Sequence, residues 1–223
     1  MAKIKVTTPK GELHWVFITG EGSLNTLNDK LEYKATLVLP TDSAECTELK
    51  TKYDDLWNNS PEKKAYDEAY AAAKPAMQAK MEFHPGYSVV LDSNDQPTDK
   101  TQFRFKTGTT FAPKAGEEVG KPVKIQVYNA KTRKIDLGDI KIGNESIGRV
   151  SATVMSYFKA TNAGVSGYLS SIQLIKLVEY VDNEFENEDG GYEGPDEADY
   201  AGGEDYNETP QSSTPVEETP EGL

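Results

Sequence analysis

Four segments in the second half of this chain alternate apolar with polar residues: TQFRFKTG (101–108), KPVKIQVYNAKTRKIDLGDIKIG (121–143), ESIGRVSATVMSYFK (145–159) and GYLSSIQLIKLVEYV (167–181). A period of two puts successive side chains on opposite faces of a strand, so each segment has one face to bury against another layer. The first half adds strands of the same kind. In GELHWVFITG (11–20), Leu13, Trp15 and Phe17 fall on one face and His14, Val16 and Ile18 on the other. In EYKATLVLP (32–40), Tyr33, Ala35, Leu37 and Leu39 share a face, and Pro40 ends the strand. HPGYSVVLDSNDQPTDK (84–100) reads as a short strand and a loop. About seven strands with frequent turns and few helices predict a mainly β barrel or sandwich.

The period changes between the second strand and residue 83. Cys46, Leu49, Tyr53, Leu56 and Trp57 recur at helical spacing. A second helix opens with Ser60 as N-cap and Pro61 at its first position, with a stripe of Tyr66, Ala69, Tyr70, Ala73 and Met77. Pro75 should kink or break it, because an interior proline removes a hydrogen bond and clashes with the preceding turn. The barrel therefore carries a two-helix insertion.

Charge divides the chain in two. The 42 residues from Asp182 hold fifteen of the 37 acids and none of the 24 bases, which leaves 22 acids against 24 bases in the body. After Phe185 the tail offers only Val216 and Leu223 as branched apolar residues, too few to offset the entropy of ordering it. Residues 1–181 are expected to form one folded domain and residues 182–223 a disordered acidic tail. Cys46 is the single cysteine, which excludes an intramolecular disulfide and suits a reducing compartment. MAKIKVTTPKGELHW lacks the apolar stretch of a secretory signal, and no run approaches the ~20 residues of a bilayer span, so no membrane association is expected.

Motifs for catalysis or metal binding fail on spacing. AGEEVGKP has three residues between its glycines and Pro122 after Lys121, where a phosphate loop has four and then Ser or Thr. DSNDQP places Gln96 and Pro97 where a calcium loop needs Asp or Asn and then Gly. Two histidines, His14 and His84, and one cysteine give no zinc spacing and little material for a nucleophile with its base. Neither an enzyme nor a cofactor is expected.

Basic strands bearing aromatics remain. Between Lys100 and Val150 there are eleven Lys and Arg against five Asp and Glu. In PVKIQVY, Val123, Ile125 and Val127 share the inner face, leaving Lys124, Gln126 and Tyr128 outside. In GRVSATVMSYFK, Val150, Ala152, Val154 and Phe158 oppose Arg149, Met155, Tyr157 and Lys159. Arg104 and Lys106 alternate with Phe103 and Phe105, and NAKTRK gathers Lys131, Arg133 and Lys134. Single-stranded nucleic acid asks for this pairing, since bases stack on aromatic rings and a basic groove follows the phosphates, neither of which reads sequence. Lys124, Tyr128, Arg149, Tyr157 and Lys159 are the first candidates, followed by Arg104, Lys106, Lys131, Arg133, Lys134 and Tyr168. Trp15, Phe17, Phe103, Phe105 and Phe111 are expected in the core, with Trp15 and Phe17 also candidate stacking residues on the early strand.

The stretch SIGRVSATVMSYFKATNAGVSGYLSSIQLIKL, followed by the acidic tail, resembles the single-stranded DNA-binding proteins of tailed bacteriophages. The small-residue turn, aromatic-bearing strand and GVSGYLSSIQ (164–173) carry the likeness. It implies an OB-fold, binding of single-stranded DNA without catalysis, and roles in phage DNA replication, recombination and repair. It also implies replication partners (a polymerase, helicase or nuclease) reading the tail, and the cytoplasm of the infected bacterium as the location. The tail would compete for the DNA groove, its carboxylates standing in for phosphates and Tyr192, Tyr200 and Tyr206 for bases. An exposed edge strand could also pair in a homodimer. Two other readings stay open: an acidic-tailed interaction protein or DNA mimic that acts on a DNA-binding partner without binding DNA, and an enzyme or virion structural protein.

Overall fold

The computed structural model of the chain describes residues 1–26, 29–111 and 120–180. The acidic tail expected over 182–223 lies outside the described residues. The chain starts with β1 (Lys3–Thr7), β2 (Gly11–Phe17), β3 (Ser23–Asn25) and β4 (Lys30–Pro40). The insertion follows as α1 (Ala44–Asn58), α2 (Pro61–Ala72) and α3 (Pro75–Gln78). The chain then continues through β5 (Glu82–His84), β6 (Tyr87–Leu91), β7 (Pro97–Gly108), β8 (Gln126–Tyr128), β9 (Lys134–Ile135), β10 (Ser146–Lys159) and β11 (Asn162–Lys176).

Five strands close on themselves in the order β2–β4–β7–β11–β10 and back to β2, all antiparallel except β7 with β11. Of the two architectures that the alternating segments predict, barrel or sandwich, this is the barrel, and it is the OB type that the resemblance implies. Closure removes the edges that an open sheet would expose. The inner faces meet in one core containing Leu13, Leu37, Phe103, Phe105, Val150, Val154 and Ile172, all essentially inaccessible to water. β10 shares one edge between β1 and β2. Pro9 has no N–H to give the ladder. Thr8 spans the break: its N–H donates to Val150 O at 2.9 Å, and its Oγ1 accepts Val150 N–H at 2.9 Å. Where β10 crosses β2, a Cβ on Gly148 would come within 2.6 Å of Leu13 Cδ1 and Gln173 O, so the closure requires glycine there.

The helices form as the sequence signals. Ser43 caps α1 by accepting Cys46 N–H, and Cys46, Leu49, Tyr53, Leu56 and Trp57 are its buried stripe. Tyr53 meets Phe103 edge to face at 5.6 Å, which joins α1 to the barrel core. Ser60 caps α2 and Pro61 occupies its first turn. The helix ends at Ala72, and Pro75 starts the separate single turn α3. No residue of α2 is fully buried, but Tyr66 packs on Phe158 at 5.6 Å. Glu62 ties α2 to the barrel: its carboxylate accepts from the Met1 ammonium at 2.9 Å and from Ser156 Oγ–H at 2.7 Å.

Three side-chain expectations are corrected. Trp15 and Phe17 do not share the core face with Leu13. His14 pairs with Thr36 and Phe17 with Lys34, so β2 spends three residues where β4 spends two. This bulge inverts the alternation. Val16 and Ile18 enter the core, and Trp15 and Phe17 face out at 60% and 42% exposure. Phe111 is also exposed. It lies past the end of β7, next to the isolated bridge between Thr110 and Pro122.

Burial pushes the Glu62 carboxyl up, but hydrogen bonds from the Met1 amine, Ser156 and Ala2 outweigh it and bring it down to about 2. The carboxylate therefore stabilises the fold fully above pH 4.5, its ordinary value, and progressively less as pH falls toward 2. Urea unfolding should find Glu62→Gln less stable than wild type at neutral pH. The gap should narrow below about pH 4.5 and close near pH 2.

Candidate nucleic-acid interface

Cross-strand register assembles the site. Phe17 on β2 pairs with Lys34 on β4, Lys34 with Lys106 on β7, and Lys106 with Tyr168 on β11. Tyr168 pairs with Thr153 on β10, and Thr153 with Lys5 on β1. One row, Phe17–Lys34–Lys106–Tyr168–Thr153–Lys5, thus crosses six strands on the outer surface. Its chain neighbours Ala35, Phe105, Gly167 and Val154 form a parallel row inside, all buried. The inner row fixes the outer one, because a Cβ on Gly167 would strike Phe105 Cδ1 at 2.7 Å. At ~4.8 Å between strands the outer row is about 24 Å long.

The row combines cations with rings. Lys34 Nζ lies 4.7 Å from the centroid of Phe17, a cation–π contact. Lys106 Nζ is 3.5 Å from Glu32, which draws off part of its field. Tyr168 is half exposed. Tyr157 follows Thr153 on the same face of β10, and burial, then the charge of Tyr168 nearby, raises its phenol above the ordinary range. Arg104 is exposed on β7 in register with Thr36, on the same face as Lys106.

A second row, Arg149–Gln173–Tyr128–Lys134, crosses β10, β11, β8 and β9. It lies four residues from the first along β10, or ~13 Å at the strand rise. Lys131 and Arg133 flank it on the β8–β9 turn, where Asn129 Oδ1 accepts both of their backbone N–H groups at 3.0 Å. The structure therefore brings Lys106, Tyr168, Tyr157, Arg104 and Phe17 into one group and Arg149, Tyr128, Lys134, Lys131 and Arg133 into another. Lys124 precedes β8 and lines a separate groove with Tyr33 and Lys134. Lys159 stands at the β10–β11 turn, paired with Asn162. Sequence reasoning did not select Lys5, Lys34 or Tyr180. A signal existed for Lys34, since it alternates with Tyr33 and Ala35 and so points outward.

Trp15 reaches the surface through the bulge, where its backbone takes φ 52° and its N–H donates to Asn144 Oδ1 at 2.9 Å. The indole lines a groove of about 640 Å³ between residues 15–22 and 137–144. Near the start of β2, Glu12 and Lys100 pair at 2.9 Å. The hydrogen bond from Lys100 holds the Glu12 carboxyl below its usual range, and the same bond raises Lys100. Among the described residues no cluster of three His, Cys, Asp or Glu is placed to hold a metal ion, and no helix is long and apolar enough to cross a membrane.

No protein-family model matches the chain, and no curated protein sequence matches it. Solved structures do. The chain is similar to gp2.5, a single-stranded DNA-binding protein encoded by bacteriophage T7, with TM-score 0.55 and 23% identity over 87% of this chain and 100% of that one. The single-stranded DNA-binding protein from bacteriophage Enc34 in complex with ssDNA superposes at TM-score 0.47 and 14% identity, over 78% of this chain and 86% of that one. Its C-terminal truncation gives 0.48 and 13% over the same shares. The likeness to gp2.5 is one of fold, and it is the fold that the stretch from Ser146 to Leu177 resembles.

The Asn144 hydrogen bond fixes the bulge that everts Trp15. Asn144→Ala should cost about 1 kcal/mol of unfolding free energy in denaturant titration, the usual worth of one such bond.

Proposed function

We propose that this chain binds single-stranded DNA without sequence preference, as an accessory to the replication, recombination and repair of phage DNA. The observation that carries the reading is the row Lys5–Thr153–Tyr168–Lys106–Lys34–Phe17. It sets three cations beside two rings across a barrel whose β4–β7 face is where OB-folds take oligonucleotides. Lysines at this spacing neutralise successive phosphates, while Tyr168, Tyr157 and Phe17 offer faces on which any base can stack. Arg149, Tyr128, Lys134, Lys131 and Arg133 extend the basic surface along β10 and β11. The fold shared with gp2.5, itself a single-stranded DNA-binding protein, supports the same reading.

Within this reading the segment from Asp182 acts as a regulator. Its fifteen acids without a base compete with phosphates for the basic face. Displaced by DNA, it becomes available to replication proteins in the cytoplasm of the infected cell.

Anisotropy titration of labelled oligo-dT at several salt concentrations tests the proposal. Affinity should fall as salt rises, with a log–log slope of about 0.7 per phosphate contacted, and Lys34→Ala or Lys106→Ala should each lower that slope by about this amount. Tyr168→Ala should weaken binding by about 1–3 kcal/mol with the slope unchanged. Absence of binding at about 50 mM salt, with the tail removed, would contradict the proposal.

A further inference from the structure

Trp15 sits in the left-handed region at φ 52°, a conformation that costs a bulky residue about 1–3 kcal/mol. A regular β2 would avoid the strain and bury the indole beside Leu13, where such rings are ordinarily held. Instead Val16 takes the core position, and Asn144 holds the bulge from the opposite wall. Strain that persists to expose a large aromatic points to a ligand.

What surrounds the indole identifies the ligand's chemistry. Phe17, Ile140 and Tyr180 line the same groove and are likewise exposed. A cation rests on each of two rings: Lys34 Nζ lies 4.7 Å from the Phe17 centroid, and Lys141 Nζ lies 5.7 Å from that of Tyr180. Glu21 and Asp139 also line the groove and supply acceptors. Aromatic walls with a cation at two margins suit flat bases inside and phosphates at the rim. About 640 Å³ lies in the usual range of small-ligand sites. Phe17 is both the end of the outer row and a wall of the groove, so a strand leaving the row enters the groove directly.

We propose that this groove is a second base subsite, in which Trp15 and Tyr180 stack on unpaired bases of the strand held by the outer row and Asn144 positions Trp15. The inference rests on the single-stranded DNA reading and lengthens its site around β2. Paired bases in a duplex keep their faces against one another and have none to offer, so the groove takes unpaired bases only.

The chain has two tryptophans, and Trp57 is buried, so the emission of Trp15 can be isolated. Oligo-dT should quench the indole emission of the full chain and leave that of Trp15→Phe unchanged. A Trp15→Ala, Tyr180→Ala double variant, with its fold checked by circular dichroism, should bind oligo-dT of about twelve nucleotides at least fivefold more weakly, roughly the lower worth of one stacked base. An oligonucleotide of about four nucleotides, which the outer row alone can hold, should bind as it does to wild type. Wild-type affinity of the double variant for the longer strand, with Trp15 emission unquenched in the full chain, overturns the subsite and leaves the outer row as the whole site. No binding by any of the proteins overturns the single-stranded DNA reading itself.

Discussion

The pairing of β10 with β11 sets the position of everything else. Along one edge, β11 is held by β10 from Asn162 to Lys176. Along its other edge it makes three short parallel pairings in turn, with β5, β7 and β8. Both outer rows run through this hairpin, so its register decides which residues meet. A slip of one residue would send Tyr168 inward and Gly167 outward, and would lose the fit of Phe105 against Gly167. The pairing is irregular twice, at Ile175 and at Ser170. Ser170 is unpaired between Leu169, opposite Ala152, and Ser171, opposite Ser151, and it lets both Leu169 and Ile172 remain in the core.

From that hairpin the chemistry follows by placement. None of the outer row's cations is close to the others in sequence, and each owes its neighbours to a core residue one position away. The same core that stabilises the barrel therefore spaces the charges. Ion pairs at the border, Glu12 with Lys100 and Glu32 with Lys106, soften the field on the β4–β7 side, while the aromatic residues supply contacts that salt does not screen.

Local signals in the sequence were enough for the helices. The α1 stripe, the Ser60 cap and the interruption at Pro75 all depend on residues within a few positions of one another. The inner and outer faces of β10 were legible for the same reason. Two features were not. The bulge at Trp15 shifts parity by one residue, and no glycine marks it; the only sign is that Val16 and Ile18, both apolar, fall on the face that regular alternation assigned to solvent. The outer row depends on pairings between residues far apart in the chain, such as Lys5 with Thr153. Lys34 could be placed outward from sequence, but only the register shows that it stands between Phe17 and Lys106. The candidates on β10 divide between two groups, because Arg149 stands four residues from Thr153 and meets a different part of β11.

The central claim is that bases lie against the outer row. Ultraviolet crosslinking of oligo-dT to the full chain, followed by mass spectrometry of the joined peptides, tests it most directly. The account predicts adducts at Tyr168, Tyr157 and Phe17. Adducts confined to the helical insertion, with these three residues unmodified, would contradict it.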